Sequence, residues 1–130
     1  MFKRKKSPTS SCMAPFKPAA QVNARAISAV TAAHFHNRAG VEFVDPRPAE
    51  AIEETTGLIP GARNLSLSDI ESDALPPAFA DRSLHVITTC LAGPTAARAA
   101  EAFAKLGFAR VSYIDGGTTA WLEAGLPTYR

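Results

Sequence analysis

The sequence predicts an α/β domain built on a parallel sheet covered by helices on both sides. Short apolar runs alternate with helical stretches along the chain. Several of these runs, residues 84–89 above all, are apolar on both faces, as strands buried from two sides must be. Asp45, Cys90 and Asp115 each stand where such a run ends. The binding crevice of a parallel sheet lies at the carboxyl ends of its strands, so these three residues can share one site.

Residues 1–22, with Pro8, Pro15 and Pro18 set among Ser, Thr and Lys, are expected to form a flexible basic arm, and the folded domain is expected to occupy residues 23–130. The apolar positions Ile27, Val30, Ala33 and Phe35 predict a first helix running to about Arg38 and closed by Gly40. Residues 41–44 read as a strand ending at Asp45, where Pro46 stops the ladder. A short helix over 48–56 follows, then the turn Gly57-Leu58-Ile59-Pro60-Gly61 and a minimal strand at 63–65. Residues 67–72 and 76–79 are short helical pieces. The most apolar strand, 84–89, leads to Cys90. After it, Gly93 stands at an N-cap position, Pro94 suits the first helical position and Gly107 the left-handed residue past the end. Between them the alanines favour helix, and Ala99, Phe103 and Leu106 supply one apolar stripe. A strand at 110–114 and a helix opened by Asp115-Gly116-Gly117 and running through Leu122 complete the domain.

A strand that delivers a lone cysteine to the mouth of a helix can stabilise a sulfur anion. The first helical turn leaves backbone N–H groups without partners and carries about half a positive charge. Thiols in such surroundings titrate below the usual value of about 8.5 and become nucleophiles at neutral pH. The competing reading is an ordinary buried cysteine that ends a core strand.

The chain has 130 residues, 46% of them hydrophobic and 20% charged, which suits one compact domain. No stretch reaches the roughly 20 apolar residues of a membrane span, and no apolar signal segment follows the basic start. Cys12 and Cys90 are too few for a disulfide framework and have no paired spacing for zinc. A reducing, cytoplasmic setting is expected. Cys12 is read as an incidental exposed thiol. The net charge of +2 conceals an asymmetry: residues 1–41 hold seven basic residues and no acid. The run Lys3-Arg4-Lys5-Lys6 is read as solvated, with neither nucleic acid nor membrane as partner. His34 and His36 are two apart on a predicted helix, the wrong spacing to chelate a metal, and His85 begins a strand whose other end carries Cys90.

Taken in order, Asp45-Pro46-Arg47, Leu58-Ile59-Pro60-Gly61-Ala62, Cys90 with its six-residue loop, Asp115-Gly116-Gly117, Trp121 and Gly125-Leu126-Pro127 resemble the rhodanese-like sulfurtransferases over about residues 25–128. The resemblance implies a three-layer fold with a five-stranded parallel sheet. It also implies that Cys90 takes a sulfane sulfur from a small donor, holds it as a persulfide, and passes it to a thiol or cyanide-like acceptor, with no cofactor. A sulfur-relay protein is a further expected partner. The loop residues Leu91, Ala92, Gly93, Thr95 and Ala96 become the persulfide cradle, with a hydrogen bond expected from the Thr95 hydroxyl. Asp45 and Arg47 match the family's Asp-x-Arg, an ion pair beside the site whose arginine steadies the loop or attracts an anionic donor.

The pattern C-x-x-G-x-T-A resembles the thiosulfate and 3-mercaptopyruvate sulfurtransferases, but Leu91 and Ala92 stand where the thiosulfate enzymes carry basic residues. Dual-specificity phosphatases share the fold and use C-x5-R. Here that count lands on Ala96, and Arg98 comes two positions too late. The alternatives kept open are a non-catalytic binding module and a persulfide carrier fed by a partner protein.

Overall fold

The computed structural model describes residues 24–130, so the expected arm at 1–22, with Cys12, lies outside the described residues. Five strands form one parallel sheet: β1 Ala24–Ile27, β2 Val41–Asp45, β3 Arg63–Asn64, β4 His85–Thr88 and β5 Arg110–Ile114, in the spatial order β1-β5-β4-β2-β3. Five helices connect or follow them: α1 Ala29–Phe35, α2 Ala49–Glu54, α3 Leu67–Glu71, α4 Pro94–Lys105 and α5 Gly117–Glu123. A 3-10 turn, Pro77–Phe79, precedes β4.

Alternation along the strands sorts the core into two layers, because successive side chains point to opposite faces. Val44, Val86 and Val111 pack with Ile70, Phe79, Ala99, Ala100, Phe103 and Phe108 beneath α3 and α4. Phe43, Ile87 and Ile114 pack on the other face with Ala29, Ala32, Ile59 and Trp121 beneath α1 and α5. Each fully buried large side chain here contributes roughly 1.5–3 kcal/mol of apolar burial. The alanines of α4 bring that helix close enough to the sheet for Ala96, Ala99 and Ala100 to be sealed from solvent.

The expected first helix is corrected at its start. Residues 24–27 form an edge strand paired to β5 in the register Ala24↔Val111 to Ile27↔Ile114, and Ser28 caps a shorter helix by accepting from the Thr31 N–H. Val30, counted on the apolar stripe, is exposed. Ile27 belongs to a pleat, and a strand of four residues is too short for its period of two to stand out against the helical pattern that follows. His36 is also corrected. The helix ends at Phe35, and extended His36 lies against Phe43 and Trp121 with its Nε2 2.7 Å from the Pro60 carbonyl. The remaining elements stand within a few residues of their expected places.

His85 lies at the opposite end of β4 from the cysteine. It is buried against Phe35, and its Nε2 is 2.9 Å from Ser112 Oγ, while Nδ1 has no partner among the described residues. Burial lowers its pKa from the usual histidine value, and the Arg110 charge adds to the effect. No helix among the described residues is long and apolar enough to cross a membrane.

Candidate functional site

β4 is the central strand, with β5 on one side and β2 on the other, so Asp45, Cys90 and Asp115 end or follow three adjacent strands. The chain leaves β2 toward one edge of the sheet and β4 toward the other. In a parallel sheet such a reversal is where a binding crevice forms at the carboxyl ends, and Cys90 follows β4 at that point.

Cys90 leaves the sheet one residue after Thr89, and the loop 90–93 turns into α4 at Pro94. Gly93 makes the turn at φ +133°, a conformation that side-chain-bearing residues rarely adopt, and its N–H donates to Cys90 Sγ at 3.0 Å. Proline as the first helical residue lacks the N–H that would have been orphaned there. The Thr88 hydroxyl donates to the Ala96 carbonyl at 2.7 Å and ties the first turn of α4 to the strand.

The loop is held from the other side by the start of α5. The Thr118 N–H donates to the Cys90 carbonyl at 2.7 Å, and the Thr119 N–H and hydroxyl donate to the Leu91 carbonyl at 3.2 and 2.8 Å. With these carbonyls engaged by α5, the Gly93 N–H is the backbone group directed at the sulfur. Gly117 allows this approach. A Cβ on it would lie 2.6 Å from the Cys90 oxygen, 2.7 Å from the Leu91 oxygen and 2.8 Å from the Ala92 nitrogen.

Asp45 and Arg47 form a buried, two-pronged pair: Nε donates to Oδ1 at 3.0 Å and Nη2 to Oδ2 at 2.7 Å. The guanidinium also donates to the Thr55 and Thr56 hydroxyls, and at 3.5 Å reaches Thr118 Oγ1, which lies 2.8 Å from Thr89 Oγ1. Asn64 donates to both the Asp45 and Arg47 carbonyls and clamps the turn after β2. Arg47 is 8% exposed and Asp45 fully covered, so this arginine acts on the loop through Thr118 and does not face solvent.

The structure thus brings Cys90, Gly93, Ala96, Asp45 and Arg47 into one connected region. Leu91, Ala92 and Thr95 line the exposed outer side of the loop. The Thr95 hydroxyl makes no hydrogen bond to any described residue and lies on the exposed side of the loop. Asp115 follows β5 but points to solvent, and the residues next to it, Gly117 to Thr119, make the contacts. Sequence reasoning missed Thr118, Thr119, Thr89, Thr55 and Thr56. The only local signal was the pair of threonines after Gly116-Gly117, at a helix start where free N–H groups abound. Among the described residues no group of three metal-ligating side chains is close enough to hold a metal ion.

The sequence profile for the Rhodanese-like domain matches residues 28–124, which span both sheet faces and the whole loop. The chain belongs to the rhodanese-like domain family. The rhodanese-like fold recurs in solved structures. A rhodanese-related protein from Thermoplasma volcanium is 22% identical over 79% of this chain and 95% of its own, with a TM-score of 0.65. A rhodanese-like domain protein from Staphylococcus aureus is 20% identical over 82% and 99%, with a TM-score of 0.63. A protein of unknown function from Rhodopseudomonas palustris, described as a possible tyrosine phosphatase, is 27% identical over 81% and 84%, with a TM-score of 0.72. No curated protein matches the chain.

Proposed function

We propose that this rhodanese-like domain is a sulfurtransferase with Cys90 as its nucleophile and persulfide carrier. The observation that carries the reading is the Gly93 N–H directed at Cys90 Sγ, with the Cys90 and Leu91 carbonyls engaged by α5. A helix of 12 residues starts immediately beyond, so its positive end adds to the N–H groups in favouring a negative sulfur.

The Cys90 thiolate attacks the outer sulfur of a donor. A new S–S bond forms, the donor's bond to that sulfur breaks (S–S in thiosulfate or polysulfide, C–S in 3-mercaptopyruvate), and the leaving group departs with the electron pair. The terminal sulfur of the persulfide then carries the charge and lies within the same cradle. A thiolate or cyanide acceptor attacks that terminal sulfur, takes it, and restores the Cys90 thiolate. Donor and acceptor together balance the electrons, so no cofactor is called for. Leu91, Ala92, Thr95 and Ala96 shape the loop around this step, and Arg47, paired with Asp45, holds it through Thr118. A reducing, cytoplasmic setting would keep Cys90 as a thiol between cycles.

A phosphatase reading enters through the Rhodopseudomonas protein. Phosphoryl transfer needs a fork of donors for the equatorial oxygens. Ala96 occupies the position such an arginine would take and is fully buried, while Arg98 is exposed and pairs with Glu71 at 3.4 Å. These two residues favour sulfur chemistry.

The test is intact mass after incubation with thiosulfate, 3-mercaptopyruvate or polysulfide, beside Cys90→Ser and Cys12→Ser. Gain of one sulfur atom, removed by cyanide and lost only in Cys90→Ser, is the expected result. A folded sample that gains nothing from any donor would leave a binding module or a carrier loaded only by a partner protein.

A further inference from the structure

We propose that a second site lies at the amino ends of the strands, at the opposite end of the sheet from Cys90. It binds an aromatic phosphate monoester, with the phosphoryl group between Arg25 and Arg110 and the ring along Phe35. This goes beyond the sulfur chemistry and does not depend on it.

The placement follows from the register of the sheet. Arg25 of β1 is level with Ser112 of β5, and Arg110, two residues before Ser112, is level with His85 of β4. Residues in register, and alternate residues of one strand, face the same side of a parallel sheet, so all four project onto the face that α1 covers. There they line one cavity of about 440 Å³ together with Phe35, the last residue of α1. That volume lies in the range of small-molecule sites. His85 opens β4 and Cys90 lies about 16 Å further along the strand direction, so a ligand here does not reach the sulfur.

Charge is the first observation. Arg25 and Arg110 are both exposed, and neither has an acidic partner among the described residues. The chain before β1 cannot supply one, because residues 1–41 contain no Asp or Glu. Two guanidiniums on one cavity repel each other, and an anion between them relieves that repulsion. Their two charges match the dianion of a phosphate monoester, and the guanidinium fork fits phosphate oxygens. A carboxylate carries half that charge.

The second observation is independent of the arginines. His85 is only 6% exposed, its Nε2 lies 2.9 Å from Ser112 Oγ, and its buried Nδ1 has no partner among the described residues. Buried polar atoms without partners are exceptions in folded proteins, and a bound ion is one of the few things that account for them. When the Ser112 hydroxyl donates to Nε2, Nδ1 bears the hydrogen and can donate to a phosphate oxygen. Phe35 lies edge-on to the imidazole with ring centroids 4.8 Å apart, and it gives the cavity an apolar wall for an aromatic body.

The experiment titrates the full chain with phenyl phosphate, inorganic phosphate and benzoate at one ionic strength. The readouts are the ring resonances of nitrogen-labelled histidine, with His85 assigned by its loss in His85→Gln, and the melting temperature. Phenyl phosphate should bind saturably, shift the His85 resonances and raise Tm by mass action. Benzoate and inorganic phosphate should each bind at least about tenfold more weakly, the first for want of charge and the second for want of the ring. Arg25→Gln and Arg110→Gln, both at exposed positions, should each weaken phenyl phosphate about tenfold while sulfur loading of Cys90 keeps its unaltered rate. Cys90→Ser should bind phenyl phosphate as the unaltered protein does, which separates this site from the loop. Benzoate or inorganic phosphate binding as tightly as phenyl phosphate would overturn the ligand class. Unchanged affinity in both arginine variants, unmoved His85 resonances, or loss of binding in Cys90→Ser would overturn the site.

Discussion

Replacing Gly117 by alanine should break the loop that holds Cys90, and its size can be worked from two separate costs. Gly117 has φ +64°, where a side chain is strained by about 1–2 kcal/mol. The new Cβ would also overlap the Cys90 and Leu91 oxygens at 2.6 and 2.7 Å. These are backbone atoms, so relief requires moving the loop or α5, which adds about 1–3 kcal/mol. The total of about 2–5 kcal/mol corresponds to a fall in Tm of roughly 10–20 °C for a domain of this size. Gly40→Ala is the control, because its φ is +81° but nothing lies within 4 Å of the added Cβ. It should cost only the conformational part, roughly 4–8 °C. The benefit of alanine in the unfolded chain is the same in both and cancels. Thermal melts of the two variants, each paired with a sulfur-loading assay, isolate the clash. If Gly117→Ala melts within a degree or two of Gly40→Ala and loads sulfur at the unaltered rate, the contact between α5 and the loop does not do what is argued for it.

Asp45→Ala and Arg47→Ala should each cost about 3–5 kcal/mol in urea unfolding, because each leaves a buried charge unpaired, and the double variant should cost less than their sum; additive losses would refute the coupling. His85 gives a pH dependence of definite sign. Its pKa is lowered in the folded protein, so below the usual value of about 6.5 the unfolded chain binds the extra proton first, and stability falls as pH drops through that window. Tm should therefore rise between about pH 5 and about pH 7, and His85→Gln should flatten the rise; an unchanged slope would assign it to other groups. Trp121→Phe removes the indole N–H that donates to the Pro127 carbonyl at 2.8 Å and should cost about 1–3 kcal/mol by denaturant titration, with the fold retained.

The sequence by itself determined strands β2 to β5, the helix after Cys90 and the end of the domain at which chemistry can occur. Residues 84–89 are apolar on both faces, Gly93-Pro94 starts a helix and Gly107 ends it, and these signals act over a few residues and survive any tertiary context. Local pattern failed where the element was short. The four residues of β1 are stabilised by pairing with β5, a partner more than 80 positions away in the chain. The same holds for the site. That Cys90 ends a strand is written in the sequence, but the engagement of its carbonyl by Thr118, and of Thr118 by Arg47, depends on α5 and the turn after β2 meeting at β4. So does the difference between an arginine that faces a donor and one enclosed by Asp45, Thr55 and Thr56. A hydrogen bond between residues distant in the chain leaves no periodicity behind, because it is set by strand order and helix placement, which only the packed core decides.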